Sequence, residues 1–338
     1  MERLNATARR VTIADPSQIP EARRAAQTLA RNIGFDETKA GRVAIVVTEA
    51  ATNLLKHAGR GEILLQMVED RNRGRGVEML ALDKGPGMAN VGESLRDGYS
   101  TAGSAGTGLG AICRLVDFFD IYSRPGMGTA ILARFRTGEG VADGSFETGG
   151  ISVAVEGEQA CGDAWSYRIT PGGLSGFVAD GLGHGMLAED AARGAVRAYE
   201  GNPGATTVEL LDRVHQATRG TRGAAVAVAN IDTASRLVRF AGIGNIAGVL
   251  TGPGGTRHMV SMSGIIGHQV RAFREFTYPW EAGCLMVLHS DGLGTRWDLA
   301  SYPGLTHRSC GLIAGVLWRD MVRSRDDSTV VVTRQTGT

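Results

Sequence analysis

Cysteine is scarce in this chain of 338 residues, and its four copies are scattered. Cys113, Cys161, Cys284 and Cys310 form no Cys-x-x-Cys pair, which speaks against a zinc site or a disulfide framework and for a reducing compartment. An excess of one charge is lacking too. The 36 Lys and Arg balance 35 Asp and Glu for a formal net charge of +1, so no electrostatic argument exists for nucleic acid or a membrane surface. No apolar run approaches the roughly 18 residues that a spanning helix needs. The opening stretch MERLNATARRVTIADPSQ also lacks the apolar segment of a secretory signal. The expectation is a cytoplasmic protein with neither nucleic acid nor membrane among its partners.

Glycine is abundant instead. Many of the 49 glycines fall in DKGPG, GSAGTGLG, DGLGHG and GIGN, and clustered glycine means backbone bent tightly or brought close to a ligand. The length suggests about two domains, each able to bury its own core.

The patterning divides the chain. A strand at 8–14, helices at about 19–33 and 36–58, and strands at 61–69 and 76–83 come first. A glycine-rich loop, a helix near 107–117 and strands near 119–123 and 128–136 complete the first half. The stretch RTGEGVADGSFETGG, 136–150, reads as a linker. Beyond it, β-type runs appear at 151–157, 164–170, 174–180, 224–231, 236–241, 246–251 and 285–289. Helical stretches lie at 186–199, 206–219 and 310–324, and STVVVTR forms a last strand. Many antiparallel strands with few helices point to a β-sandwich flanked by helices. The domains expected are 1–137 and 151–338, with 138–150 between them, and the halves share no internal repeat.

Three elements carry chemistry in the first half, and none is a Walker loop, because no G-K-[ST] follows the glycines. In TEAATN, Glu49 precedes Asn53 by four residues, which puts both on one helical face; a pair like this more often marks a solvated face. In DKGPGM, Asp83 ends a strand ahead of Gly85 and Gly87. In GTGLG, Gly106, Gly108 and Gly110 run into a helix. An Asn oxygen suits Mg²⁺. An Asp at a strand end can accept from an exocyclic amine, and glycines ahead of a helix expose N–H groups to phosphate.

At these residues the first half, roughly 8–136, resembles the GHKL ATP-binding superfamily. Within it, EAATNLLKHAGRGEI and DGYSTAGSAGTGLGAICRLVDFF are most similar to the RsbT-like and anti-sigma-factor serine kinases of bacterial partner switching. The resemblance implies ATP with Mg²⁺ as ligand. Asn53 would hold the metal, Glu49 would be the general base on a substrate serine, and Asp83 would read adenine. Gly85 and Gly87 would shape the pocket floor, and Gly106, Gly108 and Gly110 would wrap the phosphates. His57, a further turn along, is expected to be structural.

In the second half, acids sit at strand ends: Asp163 in ACGDAWSYR, Asp180 in VADGLGHG, Asp291 in HSDGLG, and Asp326 and Asp327 in RDDSTVVV. Asp before Gly often just makes a turn. Carboxylates converging from several strand ends instead suit hard divalent cations and metal-assisted hydrolysis. These stretches, with TRGAAVAVANID, AGIGNI and SGIIGH, resemble metal-dependent serine/threonine phosphatases of the SpoIIE/RsbX type. That likeness implies two Mn²⁺ or Mg²⁺ ions bridged by Asp180 and joined by the Gly181 carbonyl. Asp163 would serve one ion, and Asp291 and Asp326 the other. Asp327 is the weaker ligand candidate, His184 is expected to support the site, and Arg222 is a candidate phosphate grip.

The fold class expected is α+β: a GHKL (Bergerat) α/β sandwich followed by a PPM-type β-sandwich flanked by helices. The function expected is a protein-serine/threonine kinase and phosphatase in one chain, acting on a STAS-domain antagonist in a stressosome or sigma-factor circuit. Two alternatives stand beside it. One is an ATP-binding module that sequesters a sigma factor or phosphatase partner, fused to an active phosphatase. The other is a phosphatase with a nucleotide-sensing domain.

Overall fold

The computed structural model describes residues 7–70, 74–95, 108–138 and 144–337. The elements run β1 (Arg9–Ile13), α1 (Gln18–Ile33), α2 (Glu37–Asn53), β2 (Gly61–Asp70), β3 (Gly74–Asp83), α3 (Val91–Ser94), α4 (Gly108–Leu115), β4 (Phe118–Ser123) and β5 (Thr129–Arg136). They continue with β6 (Phe146–Val153), β7 (Asp163–Thr170), β8 (Gly173–Gly181), α5 (Met186–Glu200), α6 (Thr207–Ala217), β9 (Ala224–Asp232), β10 (Leu237–Ile243) and β11 (Ala247–Gly252). Last come β12 (Gly255–Met259), β13 (Ser261–Met262), β14 (Phe276–Pro279), β15 (Leu285–His289), α7 (Cys310–Met321) and β16 (Ser328–Gln335). Among the described residues no helix is long and apolar enough to cross a membrane.

The chain divides into two compact units. The first takes Ala8–Ala142 together with His307–Arg319. Its antiparallel sheet has the order β1-β2-β3-β5-β4. Helix α1 stops at Gly34, whose φ of 93° suits a left-handed cap. Helix α2 starts at Asp36, whose carboxylate accepts from Lys39 N. Both helices cover one sheet face: Val43, Val47 and Ala50 of α2 share a core with Ile63, Val77, Met79 and Ala81. The alternate residues Leu80, Leu82 and Leu132 are buried on the opposite face, because α7 packs there. Gly311 lies against Leu132, and Gly315 against Leu80 and Leu82.

The second unit takes in Asp143–Thr306 and Asp320–Thr338. One sheet runs β13-β10-β9-β8-β7, with β14 on β10, and the other β12-β11-β15-β16-β6. Trp165, Val178, Phe240, Leu250, Leu288 and Val331 join in a core drawn from both sheets. Helices α5 and α6 cover the outer face of the first sheet, where Val196, Tyr199 and Leu211 meet Phe177 and Val226. A capping box between Thr206 and Glu209 starts α6.

The expected boundaries differ from these units in two places. The segment expected as a linker to residue 150 already contains β6, which begins at Phe146 and pairs with β16 from Phe146↔Gln335 to Val153↔Ser328. The strand is hidden in the sequence because Gly149 and Gly150 interrupt its apolar pattern. Gly150 is needed there, since a Cβ would stand 2.9 Å from the Trp165 ring. The helix predicted at 310–324 forms, but His307–Arg319 is part of the first unit, so the 151–338 domain is not continuous in space.

Candidate active sites

In the first unit, α2 gives way at Asn53 to one π-type turn, Leu54–Ala58. Such turns accompany functional sites because they re-aim side chains. Glu49 and Asn53 do face one place. A Cβ at Gly108, the first residue of α4, would lie 3.3 Å from Glu49 Oε2 and 3.4 Å from Asn53 Oδ1. Both side chains are half-buried. Beside them opens a cavity of about 430 Å³, lined among others by Asn53, His57, Asp83, Gly87, Gly108 and Thr129. Its size is within the range of small-molecule sites.

Asp83 stands at the end of β3. Its Oδ1 accepts from Gly85 N at 2.8 Å and from Thr129 N at 3.1 Å, and neither bond uses Oδ2. Burial pushes this carboxyl above its ordinary value, while the two N–H donors and the Arg319 guanidinium pull it back. The glycines after it allow close packing. A Cβ at Gly85 would lie 2.7 Å from Ala58 Cβ, and one at Gly87, where φ is 69°, would collide with the Arg124 carbonyl. Gly110 is buried in α4, and Gly106 lies outside the described residues. His57, expected to be structural, lines the cavity; partial burial, with Lys56 beside it, holds its imidazole below the ordinary value.

In the second unit, Asp163 and Asp180 are direct cross-strand partners in β7 and β8. Asp163 is 3% exposed. Its Oδ2 accepts from Ser290 Oγ at 2.6 Å, while its Oδ1 is buried and accepts no hydrogen bond. Burial first, then Asp163, Asp291, Asp326 and Asp327 as like charges, push Asp180 up to about 9. Burial, opposed by the Ser290 hydroxyl and reinforced by Asp327, lifts Asp163 to about 7. The acids predicted from the sequence therefore repel one another across a shared space. Gly181 packs so tightly on α5 that a Cβ would collide with the Ala188 carbonyl.

The set also has members that the sequence reading did not find. Asn245 Nδ2 donates to Asp291 Oδ2 at 2.6 Å. Ser290 both donates to Asp163 and accepts from Thr329 N at 2.9 Å, so it clasps the ends of β7, β15 and β16. Their only sequence signals are position: Asn245 ends AGIGN, and Ser290 directly precedes Asp291. Asp327 is committed elsewhere. Its two oxygens accept from Val155 N at 2.7 Å and Gly162 N at 2.6 Å, which makes it a backbone clamp. Asp326 Oδ1 accepts from Asp327 N at 2.9 Å. His184 pairs with Glu158 at 2.9 Å on the surface, and Arg222 Nη1 lies 3.2 Å from where a Gly183 Cβ would stand.

Among the described residues, no three His, Cys, Asp or Glu groups are already gathered as a metal cluster. Unneutralised carboxylates repel, and Asn245 and Asp327 N–H each hold one of them. The chemistry of the set still fits a hard cation. A buried carboxylate oxygen without a donor, facing a second acid, is satisfied by a positive charge.

Residues 12–135 match the family model for the histidine kinase-like ATPase domain, and residues 170–300 match that for stage II sporulation protein E, SpoIIE. Serine/threonine-protein kinase RsbT of Bacillus subtilis (strain 168) is 36% identical over 115 residues, 34% of this chain and 86% of that protein. Phosphoserine phosphatase RsbX of the same organism is 27% identical over 148 residues, 44% of this chain and 74% of that protein. A solved structure of RsbX in complex with magnesium is 25% identical, with a TM-score of 0.52, and covers 58% of this chain and 98% of its own. Another, from work on the bacterial stressosome as a modular system controlling secondary messenger signalling, is 30% identical with a TM-score of 0.53, covering 56% of this chain and 99% of its own. The chain thus belongs to two families joined in one polypeptide: its first half to the histidine kinase-like (GHKL) ATPase domains alongside RsbT, its second to the SpoIIE-type PPM protein phosphatases.

Proposed function

We propose that this chain both adds phosphate to and removes it from a serine or threonine of one regulatory protein, a STAS-domain antagonist in a partner-switching circuit. The observation that carries the reading is the meeting of Glu49 and Asn53 at Gly108 beside a nucleotide-sized cavity. A base and a neutral oxygen ligand one turn apart are what phosphoryl transfer requires. Glu49 takes the proton of the substrate hydroxyl as that oxygen attacks the γ-phosphorus and the bond to ADP breaks. Asn53 would hold the Mg²⁺ that accompanies ATP, Asp83 would accept from the adenine amine, and Gly85 and Gly87 would form the floor. Backbone N–H groups at Gly108 and Gly110 would face the phosphates; Gly106, expected beside them, lies outside the described residues. RsbT, a serine/threonine kinase, supports this assignment by its likeness.

In the second unit, Asp180 would bridge two divalent cations with the Gly181 carbonyl, Asp163 would hold one, and Asp291 and Asp326 the other. Mn²⁺ or Mg²⁺, when bound, lowers the pKa of water for in-line attack on the phosphoester. Asn245 orients Asp291 and Ser290 orients Asp163, and Arg222, beside Gly183, would be the candidate to meet substrate phosphate. The likeness to RsbX, a phosphoserine phosphatase, supports this half.

The test is to incubate the protein with ATP, Mg²⁺ or Mn²⁺ and a STAS-domain protein from the same organism, following phosphate by mass spectrometry. Phosphate should appear on a serine or threonine with ATP and disappear when ATP is removed and Mn²⁺ remains. ATP binding without any phosphate transfer would favour a sequestering module over a kinase.

A further inference from the structure

The segment His307–Arg319 comes from the phosphatase half of the sequence, yet it is a layer of the nucleotide unit. It is fastened at three levels. At its start, Asp120 of β4 accepts from Ser309 N at 2.7 Å and pairs with Arg308 at 3.4 Å. Along its body, Gly311 and Gly315 let the backbone of α7 approach the sheet. A Cβ would lie 2.6 Å from Arg134 Nη2 at the first and 2.9 Å from Leu80 Cδ2 at the second. At its end, Arg319 Nη1 donates to the Asp83 main-chain carbonyl at 2.9 Å.

Arg319 is only 6% exposed. A cation this buried costs free energy unless its partners are in place, and a rigid guanidinium directs its donors better than an ammonium. The carbonyl it grips is crowded from the other side, since a Cβ at Gly128 would collide with it. The same residue carries the carboxylate that lines the cavity and accepts from Gly85 and Thr129.

We infer that Arg319 is a positioning residue for base recognition: by fixing the Asp83 carbonyl it sets how the Asp83 carboxylate faces the nucleotide cavity. The inference rests on the reading of Asp83 as the acceptor for the adenine amine. Arg319 also counters the burial that pushes the Asp83 carboxyl up, which favours the ionised, acceptor-only form.

The experiment uses the full chain with Mg²⁺ and compares ATP with inosine triphosphate, which carries an oxygen where adenine has its amine. Calorimetry should show that the wild type prefers ATP. In Arg319→Met, ATP affinity should fall about tenfold, the worth of one misaligned hydrogen bond, while inosine triphosphate affinity changes little. Arg319→Lys should recover part of the preference. An unchanged preference in folded Arg319→Met, or an equal loss for both nucleotides, overturns the inference and leaves Arg319 a packing residue. If Arg319→Met does not fold, Arg319→Lys decides alone: a reduced preference supports the inference and an unchanged one overturns it. A wild type that binds both nucleotides alike, or neither, removes the Asp83 reading itself and the inference with it.

Discussion

Glu49 and Asn53 are close neighbours at Gly108, but their chemistry separates them. Asn53→Ala would remove the proposed oxygen ligand, so ATP–Mg²⁺ affinity measured by calorimetry should fall at least tenfold. Glu49→Gln keeps the shape and would remove the proposed base. Nucleotide binding should survive, and phosphoryl transfer should drop by at least about a hundredfold; transfer at the normal rate would remove Glu49 from the base role. In the second unit, Asp180→Ala should abolish dephosphorylation. Asp327 belongs to another class, because its oxygens serve Val155 N and Gly162 N. Asp327→Ala leaves those donors unpaired at about 1–3 kcal/mol each. It should lower the melting temperature clearly, and an unchanged melting temperature would show that the clamp carries no weight.

At the scale of elements, α7 shows what a helix does when its small residues decide its neighbours. Gly311 and Gly315 sit one turn apart, and the sheet face they touch holds Leu80, Leu82 and Leu132. Gly315→Leu gains up to about 1 kcal/mol of helix propensity but forces a side chain against Leu80 and Leu82, at about 1–3 kcal/mol. Crowding should win: the melting temperature falls, and ATP affinity falls with it because Arg319 shifts. Gly41 on α2 is the control, since a Cβ there meets nothing within 4 Å; Gly41→Ala should stabilise by up to about 1 kcal/mol. If both variants stabilise, the close approach of α7 is not a constraint. The strand β6 makes the same point from the other side. Its glycines hide it in the sequence, and its pairing with β16 reveals it.

At the molecular scale, the raised carboxylates tie stability to pH and, on the proposed reading, to metal. Burial and like charges push Asp163 up to about 7 and Asp180 up to about 9, both above the ordinary carboxylate value of about 3.9. A folded value above the unfolded one means that the proton is held more tightly by the native state. The stability this contributes is complete below about pH 4 and is lost as pH rises through 7 and then 9. In EDTA the phosphatase transition should therefore melt at lower temperature at pH 8 than at pH 5. Mn²⁺ should raise the melting temperature more at pH 8, where fewer protons compete, and Asp180→Asn should flatten both trends. His289, buried and held below its ordinary value, contributes the opposite slope below about pH 6.5, so the comparison with Asp180→Asn decides: a variant whose pH trend matches the wild type's would contradict the clustering of these acids.

Local patterns along the chain are enough to fix the α+β class, the order of the three glycine- and acid-bearing elements of the first half and the placement of acids at strand ends in the second. Each of these is written in a local signal: helical or alternating periodicity, a glycine turn, an acid where an apolar run stops. Tertiary structure alone decided the rest. It assigned α7 to the first unit, because one face of the β1–β5 sheet would otherwise leave Leu80, Leu82 and Leu132 in water. It turned Asp327 into an acceptor for Gly162, a partner 165 residues away, and made Ser290 the donor to Asp163, 127 residues away. No window of sequence holds both members of such pairs, so only packing brings them together.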